Sequence, residues 1–282
     1  MNMNLVLQGP DATFDSLSRI AALAKAARVV RLGAHALRCE DVAYSDQLKA
    51  EIDLAAGGAR VDATFIAPGR SLADFKLVAM DMDSTLITIE CIDEIADMQG
   101  LKAQVSAITE AAMRGELDFS ESLKRRVALL EGLDAAALER VYVERLAISM
   151  GGEAMLAAVK AAGLKTLLVS GGFSFFTERL KSRLGLDYTH ANVLEIVDGK
   201  LTGRVTGTIV DADEKKRTVE QVCAGMGISS AQAIVMGDGA NDLKMMGIAG
   251  LSVAFRAKPV VRAQASVALN YSGLDGLLTI LG

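Results

Sequence analysis

The sequence predicts an α/β protein with a parallel sheet core, a helical cap inserted after the first core strand, and a small N-terminal α+β domain. From residue 72 onward, apolar runs of strand length alternate with helical patterns, which is typical of βα units around a parallel sheet. The chain has 282 residues, about twice the length of a typical single domain. We therefore expect two domains, at 1–70 and 71–282, joined by the Pro-Gly-Arg-Ser linker at 68–71.

The N-terminal segment is predicted to form a β-α-β-α-β unit. Its strand candidates are residues 4–7, 29–32 and 61–66, and its helices lie around 14–24 and 45–55. The segment holds no Cys/His cluster, nucleophile motif or glycine-rich phosphate loop. We therefore predict a regulatory or dimerising role for it.

The larger domain is predicted to place buried strands at 77–80, 166–169, 234–236 and 251–254, each a short apolar run. Between the first two, residues from about 89 to 149 show only helical spacing. Because this insertion follows the first core strand directly, it is well placed to cover the sheet edge as a cap. Asp198-Gly199, between two apolar runs, predicts a hairpin.

Bulk composition narrows the partners and the compartment. The formal net charge of −5 argues against nucleic acid, whose phosphates need a basic surface. Three scattered cysteines without a CxxC pair are typical of reduced thiols. The sequence lacks a signal-peptide pattern and an apolar run of membrane-spanning length, so we expect a cytoplasmic protein without membrane association.

Two acids, Asp81 and Asp83, directly follow the predicted strand at 77–80. In a parallel α/β sheet, functional groups gather beyond the carboxyl ends of the strands. The pair predicts a nucleophilic carboxylate with a neighbouring acid–base group. An isolated Asp-x-Asp is equally compatible with a surface turn.

Two further segments could hold an anion. Ser170 and Gly171 follow the strand at 166–169, where a hydroxyl and free backbone N–H groups at a helix start can face a phosphate. Lys215 could add a positive charge, although its run of mixed charges is by itself typical of a solvated helix start.

A fourth segment, the glycine-rich loop after 234–236, contains Asp238, Asn241 and Asp242. Its oxygen ligands suit a hard divalent cation. Taken in order, the four segments resemble the motifs of the haloacid dehalogenase-like (HAD) hydrolases over residues 76–282. Within that family the chain resembles the phosphoserine phosphatases, through the segments DMDSTL, ECIDEIA, MRGELDF, SLKRRV, SGGF, DGKLTG, GDGAND and AKP.

The resemblance implies an HAD-like Rossmannoid core and a mechanism. Asp81 would form an aspartyl-phosphate, and Asp83 would protonate the leaving oxygen and then activate water. Mg²⁺ would be held by Asp81, the backbone carbonyl of Asp83, and Asp238. Asp242 would orient the metal ligands.

The resemblance also implies how the phosphoryl group is held. Ser170, the Gly171 N–H group and Lys215 would bind its oxygens, where a displacement concentrates negative charge. Asn241 would assist near the phosphate or the leaving group.

By the same resemblance the cap selects the substrate. Glu90 would bind the ammonium of O-phospho-L-serine, and Arg126 would grip its carboxylate as a bidentate fork. Phe119, seven residues before Arg126, would project from the same helix face and shield the site. For Phe119 a role in the cap core is equally compatible with the pattern.

These roles imply Mg²⁺-dependent hydrolysis of O-phosphoserine, the last step of serine biosynthesis. Phosphohomoserine and phosphothreonine stay open as substrates, because Glu90 and Arg126 would serve any amino-acid head. A non-catalytic amino-acid sensor is the alternative from another functional class. Relatives of this kind often carry a ferredoxin-like, ACT-type N-terminal domain, and a homodimer through residues 1–70 is possible on that basis.

Overall fold

The computed structural model describes residues 2–113 and 116–282, apart from the side chain of Met113. Arg114 and Gly115, in the predicted segment MRGELDF, therefore lie outside the described residues. The first elements in the chain are β1 (Asn2–Gln8), α1 (Phe14–Leu23), β2 (Arg28–Arg31), β3 (Ala36–Ala43), α2 (Asp46–Gly58) and β4 (Asp62–Ile66).

The N-terminal strands form an antiparallel sheet in the order β2-β3-β1-β4. With the element order β-α-β-β-α-β, this is a ferredoxin-like arrangement. The predicted β-α-β-α-β order was wrong, because it lacked β3. Local chemistry starts both helices: the hydroxyls of Thr13 and Ser45 accept the N–H groups of Ser16 and Leu48 at 3.1 Å, which caps the helix N-termini.

The large sheet has the order β11-β10-β9-β5-β6-β7-β8. All its neighbouring strands are parallel except β7 and β8, which are antiparallel. The four predicted core strands and the hairpin are thereby confirmed as β5, β6, β9, β10 and β7–β8. Their bounds are β5 (Leu77–Met80), β6 (Lys165–Phe173), β7 (Tyr188–Val197), β8 (Lys200–Thr206), β9 (Ala233–Gly237), β10 (Leu251–Phe255) and β11 (Val267–Leu269).

Strand β5 lies at the centre of this sheet and is buried on both faces. Val78 and Met80 pack into one hydrophobic cluster, and Leu77 and Ala79 pack into the other, as the two-residue period of a strand requires. The chain runs from β5 to β6 and β7 on one side and later to β9 and β10 on the other. The carboxyl ends of β5 and β9 therefore meet at a topological switch point, where ligands bind in open α/β sheets.

The predicted insertion between β5 and β6 is helical, and its described residues form no strand. It leaves and re-enters through one backbone bridge, between Ile87 and Ile148, beside a hydrogen bond from Ser149 N–H to the Leu86 carbonyl (2.9 Å). Its helices are α3 (Cys91–Asp97), α4 (Lys102–Met113), α5 (Phe119–Ala128) and α6 (Ala136–Glu144).

The remaining helices pack around the large sheet. They are α7 (Gly152–Ala161), α8 (Ser174–Leu184), α9 (Ala212–Gly225), α10 (Leu243–Met246), α11 (Pro259–Arg262) and α12 (Gly276–Leu281), with 3₁₀ turns at Leu72–Asp74, Ser230–Gln232 and Ala240–Asp242.

The N-terminal sheet is hydrogen-bonded to the C-terminal segment of the chain. Asp62, on β4, is 1% exposed, and its carboxylate accepts the N–H groups of Asn270, Tyr271 and Ser272 at 2.7–3.2 Å. The Gln8 amide donates to the Gly276 carbonyl (2.9 Å). Within the described chain, these three N–H groups donate only to Asp62. The N-terminal sheet therefore holds the segment that precedes α12 in place.

Two further expectations concern the thiols and the membrane. Cys39, Cys91 and Cys223 are free and buried, as reduced thiols would be. Within residues 2–113 and 116–282, every helix is too short or too polar to cross a bilayer.

Candidate active site

The turn after β5 carries the two predicted acids. Asp81 is buried, and its carbonyl accepts the Leu86 N–H group at 3.3 Å. Ser84 has a φ of +56°, a left-handed conformation that costs a non-glycine residue about 1–3 kcal/mol and clusters at functional sites. The turn thereby points Asp83 back into the fold, where its Oδ1 accepts the Cys91 N–H group at 3.3 Å. The alternative of a surface Asp-x-Asp turn is wrong.

Lys215 connects the first acid to the loop after β9. Its side chain is 0% exposed, and Nζ donates to Oδ1 of Asp81 (2.7 Å) and Oδ1 of Asp242 (2.8 Å). Asp211 caps α9 by accepting the N–H groups of Asp213 and Glu214, so the helix starts one turn before Lys215. The alternative of a solvated lysine is therefore wrong.

The loop after β9 brings the remaining predicted acids to the same place. The Oδ2 atom of Asp242 accepts the N–H groups of Asp238 (3.1 Å) and Gly239 (3.0 Å). With Oδ1 on Lys215, both of its carboxylate oxygens are engaged. The Asp238 carboxylate is less constrained. From the side chains that the structure describes it accepts one long hydrogen bond, from the Thr85 hydroxyl (3.3 Å).

This arrangement fits a divalent cation. Carboxylate oxygens of Asp81, Asp238 and Asp242 lie within 4.8 Å of one another, and oxygen donors are those that Mg²⁺ prefers. Burial, and then the nearby Asp242 carboxylate, raises the pKa of Asp81 well above its ordinary value, although Lys215 opposes the shift. Burial and Asp242 likewise raise the pKa of Asp238 to about 6. A cation between them would relieve this crowding of acids.

Asp83 has a different environment from Asp81. Burial, followed by the charge of Glu90, raises its pKa to about 7. A carboxyl group with a pKa near 7 can both give and take a proton at neutral pH.

Ser170 and Gly171 lie on β6, next to the turn. Ser170 is buried, and its hydroxyl accepts the Gly172 N–H group at 2.9 Å. As predicted, the strand ends close to Ser-Gly-Gly and a helix follows: β6 continues to Phe173, and α8 begins at Ser174. A side chain at Gly172 would lie 2.7 Å from Asp83 Oδ2, which explains the glycine there.

Sequence reasoning missed Asn192, a buried residue on β7. Its amide donates to the Gly171 carbonyl (2.7 Å) and accepts the Val210 N–H group (2.9 Å). It thus fixes the backbone whose N–H group was predicted to bind phosphate. A single asparagine in a strand gives no sequence signal for such a role, which depends on the pairing of β6 with β7.

Most of the predicted site residues border one cavity of about 610 Å³. Helix α5 carries Phe119 and Arg126 to its wall, as their seven-residue spacing predicts, and Phe119 Cζ closes on Gly171, where an added Cβ would lie at 2.8 Å. Lys215 and Asp242 lie behind the wall. The predicted residues that line the cavity are Asp81, Asp83, Glu90, Phe119, Arg126, Ser170, Gly171, Asp238 and Asn241.

A family model described as haloacid dehalogenase-like hydrolase matches residues 78–247, more than half of the chain. The chain belongs to this family. A phosphoserine phosphatase of Polaromonas sp. (strain JS666) is 58% identical over 219 residues, which cover 76% of this chain and 93% of the relative. The predicted relationship to the phosphoserine phosphatases is confirmed.

Solved structures extend the likeness to the N-terminal sheet. The crystal structure of a HAD family hydrolase from Salmonella enterica serovar Typhi superposes with a TM-score of 0.90 at 33% identity, over 99% of this chain and 98% of that chain. A probable phosphoserine phosphatase of Vibrio cholerae gives 0.85 at 35% identity, over 99% and 86%. The α/β fold with an N-terminal antiparallel sheet is thus shared along the whole length.

Proposed function

We propose that the protein hydrolyses O-phospho-L-serine to L-serine and phosphate, with Mg²⁺ and an aspartyl-phosphate intermediate, as the last step of serine biosynthesis. One observation carries the proposal: a single cavity joins the acids Asp81 and Asp83 to an oppositely charged pair, Glu90 and Arg126. The first pair suits phosphoryl transfer, and the second suits the head of an amino acid. The names of the relatives support the same substrate.

In the first step a carboxylate oxygen of Asp81 attacks phosphorus, and the bond from phosphorus to the serine oxygen breaks. Asp83, protonated, gives its proton to that oxygen, so that serine leaves as a neutral alcohol. Lys215 donates to Asp81 Oδ1, which orients the nucleophile and opposes the rise that burial causes in its pKa.

In the second step Asp83, now a carboxylate, takes a proton from a water that attacks phosphorus. The bond from phosphorus to Asp81 breaks, and phosphate leaves. A pKa near 7 for Asp83 lets one group alternate between these states, and the product serine makes room for the water.

Charge on the phosphoryl group is held by this chain's own donors. Ser170, Gly171 and Asn241 line the cavity beside Asp81, and Lys215 contacts Asp81 Oδ1 from behind the cavity wall. In the proposed mechanism Ser170 Oγ, the Gly171 N–H group and Lys215 bind the phosphoryl oxygens, and Asn241 assists near the phosphate or the leaving group. Mg²⁺, held by Asp81, the Asp83 carbonyl and Asp238, would supply neutralising charge to the phosphoryl oxygens. Asp242 orients the loop and Lys215 by accepting three hydrogen bonds, from Lys215 Nζ and from the N–H groups of Asp238 and Gly239.

The cap and the domain division belong to the same proposal. Residues 89–149 act as the cap of an HAD domain at 71–282, and Phe119 excludes water while Glu90 and Arg126 bind the head. Residues 1–70 act as a regulatory or dimerising ACT-like domain, and the exposed edge strand β2, with Val29 51% exposed, is available for a homodimer. A measured solution mass of one chain would refute the dimer.

Phosphate release from a panel of phosphomonoesters tests the function. We expect O-phospho-L-serine to give the highest kcat/KM, with phosphothreonine and phosphohomoserine below it, and EDTA to abolish the reaction until Mg²⁺ is restored. A best substrate without an amino-acid head would refute the assignment of Glu90 and Arg126.

A further inference from the structure

Asp93 is an acid of the cavity to which the family resemblance gave no role. It lies in the first turn of α3 and lines the cavity with Glu90 and Arg126. Its Oδ1 atom is buried and has no hydrogen-bond partner in the described chain. A buried carboxylate oxygen without a donor is costly, and such groups in native proteins commonly have a functional explanation.

Arg126, across the same space, is also incompletely paired. Within the described chain, its side chain makes one long hydrogen bond, from Nε to the Ser122 carbonyl (3.4 Å). Among the described acids, none lies within ion-pair distance of its guanidinium. Burial raises the pKa of the Asp93 carboxyl, and the positive charge of Arg126 opposes that rise. Both side chains line the same cavity, and they do not form an ion pair with each other.

Glu90 has only one carboxylate oxygen, Oε2, that is not already hydrogen-bonded to Ser84. Its Oε1 atom already accepts the Ser84 hydroxyl at 2.7 Å, whereas an ammonium brings three N–H donors. Asp93 supplies the missing acceptor on the same wall, three residues along the chain from Glu90.

We propose that Asp93 is a second acid of the substrate site, which binds the ammonium of the amino-acid head together with Glu90 while Arg126 binds the carboxylate. This inference rests on the proposed function. It explains why two opposite charges line one cavity without pairing with each other: the zwitterionic head of the substrate would lie between them and pair with both.

The competing role for Asp93 is to position Arg126, and a pair of substrates separates the two. In 3-phosphoglycerate a hydroxyl replaces the ammonium of phosphoserine, while the carboxylate and the phosphate ester stay. If Asp93 binds the ammonium, Asp93→Asn should lower kcat/KM for phosphoserine about 10- to 100-fold, the range for a hydrogen bond to a charged group. For 3-phosphoglycerate, the same variant should keep or raise kcat/KM. An equal loss on both substrates would assign Asp93 to positioning Arg126 and overturn the proposal.

Binding without turnover gives a second readout. In an Asp81→Asn background, Asp93→Asn should weaken calorimetric binding of phosphoserine by a similar factor. The ligand-free variant should melt at the same or a higher temperature, because an unpaired buried charge is removed. Glu94→Gln is the matched control, since Glu94 lies next on α3 and faces Arg145 at 3.6 Å rather than the cavity.

The outcomes distinguish a failure of the role proposed for Asp93 from a failure of the proposed phosphoserine hydrolysis. Wild-type protein that turns over phosphoserine, with Asp93→Asn indistinguishable from Glu94→Gln, would overturn the role of Asp93 alone. Wild-type protein inactive on phosphoserine would overturn both.

Discussion

Replacing Lys215, the buried positively charged side chain of the site, should show how much it contributes to the stability of the protein. Lys215 is 0% exposed and bridges Asp81 and Asp242. In Lys215→Met both carboxylates lose the ammonium group with which they pair, while the methionine side chain fills the space of the lysine. Breaking a buried ion pair by removing one partner costs about 3–5 kcal/mol, and we expect a loss of this size in the free energy of unfolding at neutral pH.

The loss should depend on pH with a definite sign. The pKa of Asp81 is already raised well above its ordinary value with Lys215 present, and removal of the cation raises it further. A carboxyl whose pKa is raised in the folded state binds its proton more readily there, so stability falls as pH rises above the ordinary value of about 4. The deficit of Lys215→Met should therefore shrink as pH is lowered from 7 towards 5.

Urea denaturation followed by circular dichroism, without metal, measures the effect. The control is Lys216→Met, which removes the neighbouring cation and its exposed pair with Glu220, a change worth less than about 0.5 kcal/mol. Equal unfolding free energies for the two variants, or a deficit that is independent of pH, would refute the electrostatic account of Lys215.

Other perturbations test separate parts of the structure. Asp62→Ala should destabilise the protein by at least about 2 kcal/mol in urea, because three N–H groups lose a charged acceptor; an unchanged midpoint would contradict this. Activity on phosphoserine should fall as pH rises through the Asp83 pKa of about 7, because Asp83 loses the proton that it donates to the leaving serine oxygen. Activity on p-nitrophenyl phosphate, whose leaving group needs no proton, should show no such fall. Gly171→Ala would place Cβ 2.8 Å from Phe119 Cζ and should lower kcat/KM about 10- to 100-fold, with partial recovery in the double variant Gly171→Ala/Phe119→Leu.

The sequence was most informative where one local pattern decides the structure. β5 has the predicted bounds because four apolar residues end abruptly in an acid, and a strand buried on both faces needs no alternation. β3 was missed because Arg38, Glu40 and Asp41 dilute its pattern. Asp41 has a φ of +59°, and the pairing register shifts opposite it, which breaks the two-residue period that identifies strands.

The site was predictable where residue type alone implies chemistry. Asp81, Asp83 and Asp238 follow buried strands, so their meeting at one sheet edge follows from topology. Asn192 and Asp93 could not be found in this way, because their importance lies in contacts across the fold: one holds the Gly171 carbonyl, and the other has an oxygen without a partner. Only the three-dimensional structure shows contacts of this kind.

Covalent labelling tests the central claim, nucleophilic attack by Asp81. Phosphoserine carrying ³²P, mixed with the protein and Mg²⁺ and quenched in acid, should leave a label on the protein that hydroxylamine removes, as it does from an acyl phosphate. Mass spectrometry should locate the phosphate on the peptide that contains Asp81, and Asp81→Asn should carry none. A label on another residue, or turnover by Asp81→Asn at the wild-type rate, would contradict the mechanism.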